Sequence, residues 1–200
     1  MPVRPCRELG PTAWPRAPNS APGREPVYSG DAMDAPDAQA FKDVMSMLAS
    51  GVTVVTTLCD GAPYGLTVSA FTSVSANPPR VLVCLGNDTD TMPLIDRSRC
   101  FAVNILASRQ AALGPRFAKL VPGVGDPFAA LRYRAERTGA PILPDCLAWL
   151  DCRVTSVLPA GDHTVFIGDV EAAAAHEQGG EPLLYYRRGW RTLGGSALEP

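Results

Sequence analysis

A chain of 200 residues with a formal net charge of −2 is long enough to bury a sizeable core within one domain. The near-neutral balance argues against a nucleic-acid partner, which usually meets a basic face. No apolar run approaches the roughly eighteen residues of a membrane span, and no compact apolar stretch follows a basic start, so nothing reads as a secretory signal.

Residues 1–36 are rich in Pro, Arg, Ser and Gly. Such a segment buries too little apolar surface to offset its ordering entropy, so a disordered tail is predicted there, with Met33 a candidate natural start. An ordered domain is predicted over 37–195, followed by a short tail over 196–200. Phe41, Val44, Met45 and Leu48 recur at helical spacing and predict a first helix with one apolar stripe. Gly51 stands where a C-terminal glycine commonly closes such a helix. Val52–Cys59 reads as a buried strand, Asp60-Gly61 as a hairpin turn, Tyr64–Ser73 as the return strand and Arg80–Leu85 as a third strand. A short helix is predicted over Met92–Arg97 with Thr91 as its cap. Cys100–Leu106 reads as a strand and Ser108–Phe117 as a helix, and the Gly/Pro-rich Val121–Pro127 as a loop. Strands are then predicted over Ala148–Leu158, Thr164–Ala172 and Leu183–Tyr186. Many antiparallel strands with few helices predict a mainly β fold with peripheral helices, a barrel rather than a doubly wound sheet. No G-x-G-x-x-G supports a Rossmann dinucleotide site.

The 6 cysteines form no C-x-x-C pair. Most lie in or beside strand-like runs and read as small buried hydrophobes of a reducing, cytoplasmic protein. His163 and His176 show no ligand spacing with them, so no metal site is predicted.

Four segments carry candidate chemistry. Thr67-Val68-Ser69-Ala70-Phe71-Thr72-Ser73-Val74-Ser75 offers small residues and hydroxyls. Its backbone N–H groups can approach a flat heterocycle and stabilise negative charge developing on it. The same residues also suit an ordinary strand with surface hydroxyls. Cys84-Leu85-Gly86-Asn87-Asp88-Thr89-Asp90-Thr91 joins a strand to a helix N-terminus, a natural phosphate cradle, although Asp88 and Asp90 would repel phosphate, and a polar Asx-turn loop fits as well. Arg116 suits either a phosphate partner or a solvated helix end. His163, in Gly161-Asp162-His163, can hold a nicotinamide carboxamide or steer protons, or simply sit in a hairpin turn. In Leu183–Trp190, the aromatics and arginines suit a dinucleotide groove or a closing strand at a subunit interface.

Taken in order, GVTVVTT (51–57), GLTVSAFTSVS (65–75), Pro78-Pro79, VCL (83–85), FAVNIL (101–106), Arg116-Phe117, GAPIL (139–143), GDH-x4-GDV (161–170) and PLLYYRRG (182–189) resemble the short-chain flavin reductase family, over about 37–193. The resemblance implies an FMN-binding split β-barrel that works as a homodimer. It also implies reduction of FMN or FAD by NADH or NADPH, with reduced flavin passed to a separate monooxygenase or halogenase. On this resemblance Ser69–Ser75 border the flavin ring and ribityl chain. Cys84, Leu85, Gly86 and Asn87, with Thr89 and Thr91, approach the ribityl and phosphate region. Arg116 and Phe117 close the phosphate or adenine side, and His163 faces the nicotinamide as the catalytic candidate. The chain departs from the commonest pattern at Ala70, where a second serine is frequent, and at Asp88 and Asp90. Two rival functions remain open at this level: a split-barrel oxygenase acting on its own organic substrate, and a flavin-binding protein that does not use NAD(P)H.

Overall fold

The computed structural model describes residues 37–176 and 180–194; the tails predicted over 1–36 and 196–200 lie outside the described residues. The first element is helix α1 (Ala38–Met45), whose N-terminus is capped by Asp37 accepting from the Ala40 N–H at 2.7 Å. It is followed by strands β1 (Ser50–Gly51), β2 (Thr53–Cys59), β3 (Ala62–Val68), β4 (Phe71–Ala76) and β5 (Pro79–Gly86). Helix α2 (Thr91–Ser98), strand β6 (Cys100–Ile105), a 3-10 turn (Ser108–Gln110) and helix α3 (Leu113–Phe117) come next. The described elements close with the long pair β7 (Ala148–Ala160) and β8 (His163–Ala175) and the short pair β9 (Leu184–Tyr186) and β10 (Gly189–Arg191).

Seven strands form one sheet in the order β3-β2-β6-β7-β8-β5-β4, and β1, β9 and β10 form a small second sheet. Strands β3 and β4 are thus the two edges of the large sheet, yet only Ser69 and Ala70 separate them in the chain. Two residues cannot span a flat sheet of this width, so the sheet must curl until its edges meet. The result is a barrel closed by covalent connection rather than by a ladder at that seam: the expected split barrel.

The interior is filled by Val55, Val68, Val83, Leu85, Phe101, Val103 and Phe166, among others. A second cluster, with Val52, Val54, Leu106, Phe117, Phe128 and Leu183, lies on the other face of β2 beneath α3. Strand β2 is therefore buried on both faces, its three threonines included, as its reading as a buried strand expects. Buried Asn104 ties the 139–143 segment to this region: its amide nitrogen donates to Val54 O at 3.0 Å and its oxygen accepts from Leu143 N at 2.8 Å. Asp60 (φ 51) and Gly61 (φ 78) make the β2–β3 turn, with positive φ at both positions as a type I′ hairpin requires.

The structure corrects several local expectations. The apolar stripe of the first helix faces solvent, with Phe41 59% and Val44 70% exposed, and Leu48 lies beyond the helix end. Gly51 does not close that helix; it pairs with Leu184 in the small sheet. The return strand expected over Tyr64–Ser73 is two strands, because barrel closure turns the chain at Ser69–Ala70 from one sheet edge to the other. The helix expected over Ser108–Phe117 is interrupted; Pro115 has no N–H to give and would clash with the carbonyl one turn back in a continuous helix.

Candidate functional site

A cleft of about 540 Å³ opens at the seam of the barrel. The β3 end and the Ser69–Ala70 connection form one wall, and the β5 end with the loop that follows forms another. The β7–β8 turn, with Asp162 and His163, forms the third. Register explains the meeting: β5 and β8 pair antiparallel with Gly86 opposite His163, so the strand end that begins the loop and the strand start that carries the imidazole fall side by side. A Cβ built on Gly86 would lie 2.8 Å from Asp88 Oδ1 and 3.9 Å from His163 Nε2. Glycine thus leaves bare backbone beside the imidazole.

The seam wall is rich in available donors. Barrel closure leaves Ser69 and Ala70 outside both ladders, and neither gives its backbone N–H to another described residue; both residues are exposed. Their carbonyls are engaged, Ser69 O by Phe71 N and Ala70 O by Cys84 N, each at 3.0 Å. This fixes the segment with its N–H groups free. Thr67 is differently placed, since its hydroxyl is spent on Gly114 O of α3 at 2.6 Å.

The loop wall is held by Asn87. Its backbone N–H donates to Asp162 O at 2.9 Å, its side-chain amide donates to Gly161 O at 3.3 Å, and its amide oxygen accepts from Thr164 Oγ1 at 2.7 Å. Asn87 therefore clamps the turn that carries His163. Thr89 Oγ1 closes the loop on Gly86 O at 2.8 Å.

At the turn, His163 Nδ1 and Asp162 Oδ1 are 2.7 Å apart. That hydrogen bond, and then the attraction of the imidazole, hold the exposed Asp162 carboxyl below its usual range. Burial first, and the Asp162 charge second, raise the Cys84 thiol. Beyond the cleft, the Asp90 carboxylate pairs with Lys119 Nζ, whose hydrogen bond holds Asp90 below the usual carboxylate range.

Of the residues singled out from sequence, Thr67, Val68, Ser69, Ala70, Cys84, Leu85, Gly86, Asn87, Thr89 and His163 line this cleft, joined by Leu66, Asp88 and Asp162. Phe71, Thr72, Ser73 and Ser75 continue along edge strand β4, away from the lining. Thr91 is the buried first residue of α2. Arg116 donates to Pro127 O at 2.7 Å and also to Ala129 O, securing the 121–130 loop. Phe117 is buried in the second cluster, edge-on to Phe128 at 5.1 Å. Sequence reasoning did not single out Lys119; its place three residues after Arg116 carried no local signal.

A flat heterocycle with acceptors along one edge fits what is present: free N–H groups at Ser69 and Ala70, a glycine wall, and a volume in the usual range of small-molecule clefts.

The family model described as "Flavin reductase like domain" matches residues 45–194. The reductase component of a 4-nitrophenol 4-monooxygenase/4-nitrocatechol 2-monooxygenase from Rhodococcus opacus is 44% identical over 151 residues, covering 76% of this chain and 78% of that protein. A flavin reductase (NADH) from Kitasatospora aureofaciens is 41% identical over 157 residues, covering 77% of this chain and 81% of that protein. Among solved structures, the flavin reductase PheA2 in its native state matches with a TM-score of 0.73 at 37% identity, covering 80% of this chain and 100% of its own.

Proposed function

The chain belongs to the flavin reductase like family, and on that premise we propose that it is an NAD(P)H:flavin oxidoreductase. It reduces FMN or FAD and supplies reduced flavin to a separate monooxygenase or halogenase. The observation that carries the reading is the convergence of the free Ser69 and Ala70 N–H groups, the bare backbone of Gly86 and the His163 imidazole on one cleft.

When bound, the flavin supplies the redox chemistry, accepting a hydride from reduced nicotinamide. The protein's own part is orientation and charge. The Ser69 and Ala70 N–H groups, with the Ser69 hydroxyl, are fixed donors toward the acceptor edge of the ring, where negative charge develops. Gly86 keeps space open beside His163, and His163 is held by Asp162 at Nδ1, which leaves Nε2 to face the nicotinamide. Cys84, Leu85 and Thr89 complete the wall toward the ribityl chain. No side-chain nucleophile is needed.

The working unit is a homodimer in this reading. Support comes from α1, whose Phe41, Val44 and Met45 are open to solvent as a face for a second copy to cover. Among the described residues no helix is long and apolar enough to cross a membrane. The free thiols of Cys84, Cys100, Cys146 and Cys152 support a reducing compartment such as the cytoplasm.

The test is purified protein mixed with NADH or NADPH and free FMN or FAD, with no organic substrate. Loss of the reduced-nicotinamide absorbance that depends on added flavin is expected. Nicotinamide consumption only when an organic substrate is added would support an oxygenase instead. Flavin binding with no consumption under any condition would support a non-catalytic flavoprotein.

A further inference from the structure

Two walls of the cleft meet at Gly86, and two side chains converge over it. A Cβ built on this glycine would lie 2.8 Å from Asp88 Oδ1 and 3.9 Å from His163 Nε2, so one ligand atom placed there is within reach of both groups. Asp88 lines the cleft, is exposed and makes no side-chain hydrogen bond or ion pair with another described residue. The side chains beside it are engaged. Asn87 is bonded to Gly161 O and Thr164 Oγ1, Thr89 to Gly86 O, and Asp90 to Lys119. Of these four consecutive residues, Asp88 is the one whose polar side chain is left for a ligand in the cleft.

Both groups over Gly86 are acceptors. The hydrogen bond with His163 holds the Asp162 carboxyl below its usual range, so at neutral pH Asp162 is a carboxylate that accepts from Nδ1 at 2.7 Å. The proton of the neutral imidazole is thereby placed on Nδ1, and Nε2 is left with a lone pair. The Asp88 carboxylate likewise only accepts. No lysine or arginine lines the cleft among the described residues. Two converging acceptors without a side-chain cation match one atom that carries two protons, the amino group of a planar amide or amine. A hydroxyl or a flavin ring N–H brings one proton, and a carboxylate or phosphate brings none and adds a like charge.

We propose that Asp88 is a specificity-determining residue for the hydride donor: together with His163 Nε2 it accepts the two protons of the nicotinamide carboxamide amino group. The inference rests on the flavin reductase reading above, which puts the nicotinamide at His163. Holding the amino group at two points fixes the direction in which the carboxamide leaves the ring, and with it the ring's orientation in the cleft. A site built to accept from a substrate N–H discriminates against an analogue that lacks it, because the acceptors are then left unpaired. The adenine end of the same dinucleotide also carries an amino group with two protons, and the test separates the two ends.

The test uses three dinucleotides: NAD, its 3-acetylpyridine analogue, in which a methyl replaces the carboxamide amino group, and its hypoxanthine analogue, which lacks the adenine amino group. Dissociation constants of the oxidised forms are read by calorimetry, and kcat/KM of the reduced forms with FMN by absorbance, in the wild type, Asp88→Ala and Asp88→Asn. The positive charge of the oxidised ring is common to all three, so ratios between them isolate the amino groups. The wild type is expected to prefer NAD over the acetylpyridine analogue, and Asp88→Ala to reduce that preference by roughly five- to tenfold in both readouts. Asp88→Asn, which keeps one acceptor oxygen, is expected to fall between. The preference of NAD over the hypoxanthine analogue, and the KM for FMN, are expected to stay within about twofold. An acetylpyridine preference unchanged in Asp88→Ala overturns the assignment, as does an equal loss for all three dinucleotides or a loss confined to the comparison with the hypoxanthine analogue. A wild-type protein that oxidises none of the reduced dinucleotides with added flavin removes the underlying functional reading, and the assignment with it.

Discussion

Thr164 Oγ1 donates to the amide oxygen of Asn87 across 2.7 Å, joining the start of β8 to the loop after β5. With the Asn87 bonds to Gly161 O and Asp162 O, this contact holds the turn that presents His163. Asn87→Ala removes two of the three bonds and leaves the buried Thr164 hydroxyl without its acceptor, a loss of about 1–2 kcal/mol. The expected outcome is a lower melting temperature and a nicotinamide KM raised severalfold, with flavin affinity changed less. Thermal unfolding with steady-state kinetics checks this; an unchanged KM would show that the turn does not depend on Asn87.

Ser69 and His163 are assigned to different ligands, so their variants separate. Ser69→Asp places a carboxylate against the acceptor edge of the flavin and is expected to weaken flavin binding by at least roughly tenfold. His163→Ala is expected to raise the nicotinamide KM or slow hydride transfer by roughly tenfold, with flavin dissociation little affected. Stopped-flow reduction together with flavin titration distinguishes the two; equal losses of both ligands in His163→Ala would remove its assigned role.

The Cys84 thiol is half-buried in the cleft and raised above its ordinary 9.0. It stays protonated at neutral pH, and the thiolate fraction grows only as pH climbs past that ordinary value. Alkylation of Cys84 by iodoacetamide is therefore expected to be slow at pH 7, to accelerate in strongly alkaline buffer, and to be retarded by FMN. Peptide mass spectrometry resolves the site. Fast labelling at neutral pH, or labelling indifferent to FMN, would contradict both the environment and the placement.

Gly168 in β8 faces the barrel interior, where an added Cβ would lie 2.7 Å from Phe101 Cζ and 3.0 Å from Cys152 Cβ. Overpacking of this kind costs about 1–3 kcal/mol. Gly168→Ala is expected to lower stability by that amount in denaturant unfolding, and Phe101→Leu in the same background to recover part of it. Full stability in Gly168→Ala alone would mean that the barrel interior is looser than described.

The elements visible in sequence were those set by local chemistry. Asp60-Gly61 announced its hairpin through two residues that accept positive φ, and β7 and β8 announced theirs through long apolar alternation around Gly161. The break at Ser69–Ala70 was hidden because the alternation of Leu66, Val68 and Ala70 runs through it unbroken; only closure of the whole sheet demands the turn. The end of α1 was equally non-local, since Arg187 N takes the Ser46 carbonyl and Arg188 pairs with Asp43. Many residues of the family motifs line one cleft, but the motifs do not tell what its side chains do. Asn87 meets Thr164 across 77 positions of sequence and Lys119 meets Asp90 across 29, and no local pattern encodes either pair. Arg116 and Phe117, read as ligand-facing, instead support the loop and the second core cluster, which only packing reveals.

The most direct test of the account is a crystal structure of the protein soaked with FMN. The isoalloxazine is expected against the Ser69–Ala70 N–H groups and Gly86, with His163 beside its open face. Flavin density elsewhere on the molecule, or a seam filled by the protein's own side chains, would contradict it.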